Sequence, residues 1–284
     1  MQKLVSIIIP TYNEDKNISS SIKSLLKQTY QAKEILIVDD GSVDQTCNIV
    51  HQIIQLNNSK IKILTQPHSG PGEARNLGAS KSKGEILLFL DADMTFDSGF
   101  IENLTKPIRK NKTIGTDSQD EFLANPVNFW ARCWNMGRFA AAGNFTDEYL
   151  VSMVPNKENY GGIFRAIKTN EFKRVGGFSP GGDYSDDETL SKKLGFRAMI
   201  VDGAKFYHKN PDCLKEVWQR ARWIGSGKSF NQTKDQQYLN LIKFFPLLSV
   251  IKGLIIGLRF SYLPFVFFKV IYDTAIWTAV MRKL

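Results

Sequence analysis

Four short aliphatic runs punctuate the first 90 positions: Val5 to Ile9, Glu34 to Val38, Ile61 to Leu64 and Glu85 to Leu90. Continuous apolar runs of this length mark strands buried on both faces. Between them the period changes. Ile18, Ile22, Leu25 and Leu26 recur at the spacing of one helical stripe, and Cys47, Val50, Ile53 and Ile54 do so behind Asp44, a residue suited to cap a helix. Strand and helix alternating in this way predict right-handed βαβ units, hence an α/β fold with a mostly parallel sheet covered by helices on both faces.

The pattern weakens from about 113 to 158, where Phe129 to Trp134 reads as an aromatic helix packed in a core. Gly161 to Ile167 then reads as a strand, Gly176-Gly177-Phe178 as a turn, and Asp186 to Leu194 as a short helix with acidic residues at its start. Cys213 to about Phe230 has helical spacing, with Val217, Ala221 and Ile224 on one face. Residues 239–281 differ: about two-thirds are apolar, yet Lys243, Lys252, Arg259 and Lys269 interrupt them. No uncharged run approaches the ~18 residues of a clean membrane span. Amphipathic helices in a bilayer interface, or a short membrane hairpin with snorkelling basic residues, are the expectation. The competing reading, the core of a larger soluble domain, lacks an obvious complementary apolar surface upstream. The sequence thus divides into a domain at 1–232 and a hydrophobic, basic helical tail at 233–284.

Charge changes this picture in one respect. The 284 residues carry 37 Lys and Arg against 28 Asp and Glu, a formal +9, but residues 1–204 hold 24 of each sign and residues 205–284 hold 13 basic and 4 acidic. A neutral body with a basic end suits a local anionic partner, such as a diphosphate, a membrane surface or nucleic acid. Ordinary apolar and aromatic content excludes a disordered, collagen-like or disulfide-stapled chain. Cys47, Cys133 and Cys213 show no pairing or metal spacing, which suits a reducing compartment. The first residues lead straight into an apolar strand without a cleavage pattern, so the body is expected to stay in the cytoplasm.

Polar residues gather where strands end, at Pro10 to Glu14, Asp39 to Ser42 and Asp91-Ala92-Asp93. That edge is where ligands bind open α/β sheets. In extended geometry Asp91 and Asp93 point the same way and can face one divalent cation, Mg²⁺ or Mn²⁺, whose shell phosphate oxygens complete. Asp186 and Asp187, at a helix start, are candidates for a general base kept ionised by the helix N-terminus. Two superficial matches fail. Gly70-Pro71-Gly72 lacks the third glycine of a dinucleotide fingerprint, because that position is Arg75. Gly227-Lys228-Ser229 lacks the first glycine of a phosphate-binding loop.

Taken in order, Ile7 to Glu14, Ile37 to Ser42, Gly72 to Asn76, Phe89 to Asp93, Gly176 to Phe178 and Asp186-Asp187 resemble the motifs of the family-2 inverting glycosyltransferases of the GT-A fold. The resemblance covers residues 4 to about 230. It implies that Pro10, Tyr12, Glu14, one or both of Asp39 and Asp40, and Arg75 line a nucleotide pocket, an aspartate reading the base. Asp91 and Asp93 then hold the donor through the metal, and Asp187, with Asp186 as runner-up, is the base. Thr189 departs from the family, which has an acid there. Gln219-Arg220-Ala221-Arg222-Trp223 fits the Gln-x-x-Arg-Trp motif of processive synthases, which implies Arg222 on the donor diphosphate and Gln219 and Trp223 near the acceptor. The implied activity is inverting, metal-dependent transfer from a nucleotide sugar to a hydroxyl or phosphate acceptor, without polymer extrusion; the apolar tail adds the expectation of a glycan or polyprenyl-lipid-linked acceptor at the cytoplasmic face of a membrane. A non-catalytic nucleotide-sugar-binding scaffold is the alternative. No nucleic-acid module is recognisable.

Overall fold

The computed structural model describes residues 2–57, 60–143, 152, 163–179, 186–227 and 233–283. The chain forms two compact units, Met1–Glu121 with Glu158–His208, and Phe122–Lys157 with Lys209–Leu284. This grouping leaves the helix that carries Arg222 with the tail, and cuts elsewhere than at residue 232.

In the first unit, β1 (Val5–Thr11), β2 (Lys33–Asp39), β3 (Ile61–Thr65) and β4 (Ile86–Phe89) are parallel neighbours. β8 (Ala166–Lys168) runs antiparallel to β4 and to β6 (Gly115–Ser118), and β9 (Met199–Val201) adds parallel to β6. The sheet order is β3-β2-β1-β4-β8-β6-β9, so the chain reverses direction of travel between β1 and β4. That switch opens a crevice at the carboxyl ends of those strands.

Alternation along the strands explains the two layers of helix. Ile7, Ile9, Ile35 and Ile37 face α1 (Ile18–Leu26), α2 (Thr46–Asn57) and α4 (Phe100–Arg109), through Ile22, Val50, Phe100 and Leu104. Ile8, Leu36, Val38, Leu87 and Phe89 face α3 (Pro71–Lys81), α6 (Thr169–Arg174) and α7 (Asp186–Leu194), through Ala74, Phe172 and Leu190. Each such buried aliphatic side chain contributes about 1.5–3 kcal/mol. A small second sheet pairs β5 (Met94–Phe96) antiparallel with β10 (Phe206–His208), and β7 (Glu121–Leu123) flanks β10.

The second unit is helical. α5 (Phe129–Ala141), capped by the Asn128 side chain on the amides of Trp130 and Ala131, packs Cys133, Met136 and Phe139 with Phe265 and Phe268 of α11 (Phe265–Met281) and Val217 of α8 (Leu214–Ser226). The predicted aromatic helix is therefore the complementary apolar surface that was not evident upstream of the tail. Its apolar face and that of α11 lie over 100 residues apart in sequence, which periodicity does not relate.

α10 (Pro246–Arg259) follows α9 (Lys234–Lys243) and pairs with α11 through a stripe of small residues, Ser249, Gly253 and Gly257. A Cβ on Gly253 would stand 2.9 Å from Val266 Cα, so only glycine allows this approach. Buried Asp273 pins the pair: Ser249 Oγ donates to it at 2.7 Å and Lys269 Nζ at 2.6 Å. The other side of α10 is bare, with Leu247, Ile251, Ile255 and Leu258 more than half exposed. Among the described residues no single helix is long and apolar enough to cross a membrane; α9 and α10 pass that test only together, and they bend by 58° at their break.

Candidate active site

The loops after β1 and β2 are stitched together. The amide of Asn13 donates to Ser42 Oγ, that of Glu14 to Thr46 Oγ1 and that of Asp15 to Asp44, while Asn13 Oδ1 accepts from Val43. Asn13 sits at φ 56°, a left-handed turn conformation that asparagine tolerates. Pro10 lies half-buried in the last turn of pairing between β1 and β2. Glu14 Oε2 accepts from the Asn17 side-chain Nδ2 at 2.8 Å. Tyr12 stands exposed and stacks on His68, with ring centroids 4.1 Å apart.

The adjacent aspartates at the end of β2 have different duties. Asp40 is saturated: it accepts from Gln66 at 2.6 Å and from the Ser69 and Gly70 amides at 2.8 Å, and meets His68 Nδ1 at 2.9 Å. It thereby fixes the loop that leads into α3. Asp39 Oδ2 accepts from the Ser42 amide, and among the described residues its Oδ1 is buried without an N–H or O–H donor. A buried, unpaired carboxylate oxygen is costly and points to a missing donor. Burial, and after it the thiol's hydrogen bond to Asp39 and that carboxylate's charge, push the neighbouring Cys47 thiol up to about 11, so that thiol stays neutral.

Arg75, buried in α3, donates from Nη2 to Asp91 Oδ1 at 2.9 Å and lies over the Phe178 ring. Asp91 and Asp93 do not occupy an extended segment as expected: the Met94 amide bonds back to the Asp91 carbonyl, making a turn. The two carboxylates accordingly have separate partners. Asp91 is open and faces Arg75, whereas Asp93 is buried and meets His208 Nε2 at 3.2 Å. His208 Nδ1 lies 2.9 Å from Glu121. Burial alone would lower the imidazole pKa, but the Asp93 and Glu121 carboxylates outweigh it and push it up to about 10. The ring is therefore a cation donating from both nitrogens. No sequence pattern marks His208, a lone histidine on a three-residue strand.

Beneath these residues, Arg165 joins Asp117 at 3.2 Å, Met94 Sδ at 3.5 Å and the Phe206 ring at 4.3 Å. It thus braces the residue that follows Asp93.

Asp186 and Asp187 form the first turn of α7; their side chains lie outside the described residues. The helix itself is well anchored. Leu190 is buried among Phe89, Phe172 and Phe178, Thr189 Oγ1 accepts from the Ser179 amide, and Lys193 donates to the Gly177 carbonyl. Asn76 of α3 clamps the same turn through both the amide and the carbonyl of Phe178. Gln219, Arg222 and Trp223 belong to the other unit, where they line a cavity between α8 and α11.

Asp91 and Asp93 offer the hard oxygens that Mg²⁺ or Mn²⁺ prefers; Asp91 is the more open of the two, and a divalent cation at Asp93 would take the place of the His208 contact. Among the described residues another trio of potential ligands, Asp212, Cys213 and Glu216, converges at the start of α8. There Glu216 accepts from the Asp212 amide and Lys209 pairs with Asp212, an ordinary helix cap.

A parallel sheet whose switch point gathers an acid with an unpaired oxygen, an arginine and an Asp-x-Asp turn is the architecture of a nucleotide-sugar transferase. Residues 6–168 match the family described as Glycosyl transferase family 2; the chain belongs to that family and is a nucleotide-sugar glycosyltransferase. It is 28% identical over 213 residues to the glycosyltransferase GlyG of Streptococcus pneumoniae, covering 71% of this chain and 68% of GlyG. Over 109 residues it is 38% identical to WfgD of Escherichia coli, a UDP-Glc:alpha-D-GlcNAc-diphosphoundecaprenol beta-1,3-glucosyltransferase, covering 38% of this chain and 42% of WfgD. The crystal structure of Staphylococcus aureus TarS 1–349 with UDP superposes with a TM-score of 0.54 at 17% identity, over 99% of this chain and 92% of that one. This likeness concerns the fold, and the GT-A type architecture expected for the first unit is the one found.

Proposed function

We propose that the protein is an inverting, metal-dependent transferase that moves a sugar from a nucleoside-diphosphate sugar to a hydroxyl of a lipid-linked acceptor at the cytoplasmic face of the membrane. The observation that carries the donor half is the pair of contacts at the end of β4, Arg75 on Asp91 and His208 on Asp93, at the sheet's switch point. Asp39 Oδ1, buried and unpaired, accepts the N–H of the nucleobase. Tyr12, stacked on His68, offers a ring face for the base. Asp91 and Asp93 hold the divalent cation, which when bound neutralises the diphosphate leaving group as a Lewis acid.

Asp187, in the first turn of α7, is the general base. The positive end of the helix favours its ionised form, so it takes the acceptor proton as the hydroxyl attacks the anomeric carbon from the face opposite the diphosphate. One carboxylate suffices, because the leaving group needs charge neutralisation rather than protonation. The lipid-linked acceptor is supported by WfgD, whose acceptor is a diphosphate-linked lipid, and by the bare apolar side of α10, which water leaves unsatisfied.

Asp187→Asn tests this reading. It is expected to keep nucleotide-sugar binding, read as a thermal shift, while turnover falls about 10²–10⁴-fold. Near-normal turnover would refute the assignment of the base. Metal-dependent donor binding in the wild type without hydrolysis or transfer to any acceptor would instead make the protein a nucleotide-sugar-binding scaffold.

A further inference from the structure

The Gln-x-x-Arg-Trp segment of α8 lines an open cavity of about 380 Å³ whose other wall comes from the last turn of α11. Three cations meet there: Arg222 from α8, and Arg282 and Lys283 from the end of α11. Among the described residues no carboxylate lines the cavity, and neither the Arg222 nor the Arg282 guanidinium makes an ion pair or hydrogen bond. Lys283 Nζ donates only to a neutral acceptor, the Ser226 carbonyl. Three like charges that meet with no counter-ion among the described residues repel one another, and an anion relieves that cost. Two guanidinium groups suit bidentate phosphate contact. The indoles of Trp218 and Trp223 complete the wall, and Trp223 is nearly half exposed, which suits contact with a sugar or a hydrocarbon chain.

The surroundings distinguish among phosphates. Trp277, just over one turn before Arg282 on α11, touches Phe245 at the start of α10 with ring centroids 6.3 Å apart. From that end the exposed side of α10 runs on through Leu247, Ile251 and Ile255. A cationic cavity at the head of an apolar track matches a ligand with a phosphate head and a hydrocarbon tail. Three cations match the two to three negative charges of a terminal phosphate or diphosphate better than the single charge of a phosphodiester headgroup.

We infer that this cavity binds the phosphate or diphosphate of a lipid-linked acceptor, with Arg222, Arg282 and Lys283 on the phosphate oxygens and the hydrocarbon tail along α10. The inference rests on the proposal above that the acceptor is lipid-linked, and it assigns Arg222 to the acceptor's phosphate rather than to the donor's diphosphate. Arg282 and Lys283 are thereby acceptor-binding residues that no motif marks.

The test is calorimetry on the full chain with three probes: farnesyl diphosphate, inorganic pyrophosphate and phosphatidylglycerol vesicles. Farnesyl diphosphate is expected to bind at least tenfold more tightly than pyrophosphate. The double variant Arg282→Ala/Lys283→Ala is expected to weaken it at least tenfold while vesicle binding changes less than twofold. Both side chains are exposed, and Arg282→Gln alone serves if the double variant melts early. Equal affinity for pyrophosphate would make this a site for free phosphate and overturn the proposal, and so would unchanged binding in the variants. A loss of vesicle binding as large as the loss of farnesyl diphosphate binding would reduce the cavity to general headgroup attraction and overturn it too. Thermal shift with UDP-sugars on the same samples separates the two proposals: an intact donor response without lipid binding removes only this one, and the reverse removes only the donor reading.

Discussion

Asp117 gives the fold a pH dependence whose sign is fixed by its surroundings. On β6, it is completely buried; its Oδ1 accepts from Arg165 Nε at 3.2 Å and from the Ser118 amide at 2.8 Å, and its Oδ2 has no partner. Burial raises the carboxyl pKa most. Arg165 and the Ser118 amide pull it down, Glu121 pushes it up, and the result is about 6 against an ordinary 3.8. A gap of about two pH units is worth on the order of 3 kcal/mol. The folded protein holds this proton more tightly than the unfolded chain, so the stabilisation is complete below pH ~4 and is lost as pH rises through about 6. His208, pushed up to about 10, keeps its charge across that window. Asp117→Asn preserves the shape and removes the titration. Thermal melts of both proteins between pH 4 and 7 are therefore expected to diverge, the variant gaining about 6–12 °C on the wild type toward pH 7. Whatever constant offset the amide introduces, the slope of the difference carries the test. Parallel curves, or a wild type that gains on the variant with rising pH, would refute the reasoning.

Two further outcomes are expected. Gly177→Ala forces a residue with a side chain to φ +68° and sets its Cβ 2.5 Å from Asn76 Oδ1, which should cost about 1–3 kcal/mol, seen as a lower melting temperature; an unchanged melt would show that the turn has room to shift. Ile251→Glu with Ile255→Glu alters only the exposed side of α10, and should abolish flotation with anionic vesicles while leaving the melt and donor binding intact; undiminished flotation would mean that another surface meets the bilayer.

The four parallel strands were legible because burial on both faces writes them as unbroken aliphatic runs. β6 was not, since Gly115 to Ser118 is polar in sequence yet fully buried, its Thr116, Asp117 and Ser118 satisfied mainly by hydrogen bonds to α4, to Arg165 and to the Ala204 carbonyl. Hydropathy cannot register such a strand. α4 carried its stripe of Phe100, Ile101, Leu104 and Ile108 plainly, but Pro107 stands inside the helix and masks it. At the site, residue identities singled out Arg75, Asp91 and the Asp39-Asp40 pair, and the fold sets Arg75 against Asp91 and the pair at the end of β2, whereas the division of labour in that pair depends on where loop 66–70 lies. His68, His208 and Glu121 come from loops and short strands that only the three-dimensional chain path brings to the carboxyl edge.

The joint packing of α5 and α11 has a consequence for synthesis. About 125 residues separate Phe139 from Phe265, and at roughly 5–20 residues per second the ribosome takes about 6–25 s to supply the second after the first. During that interval Cys133, Met136 and Phe139 have no α11 to cover them, while the strands of the first unit can already pair. The nascent chain is thus a half-finished protein with an apolar helix waiting, and removal of the last 20 residues would make that interval permanent.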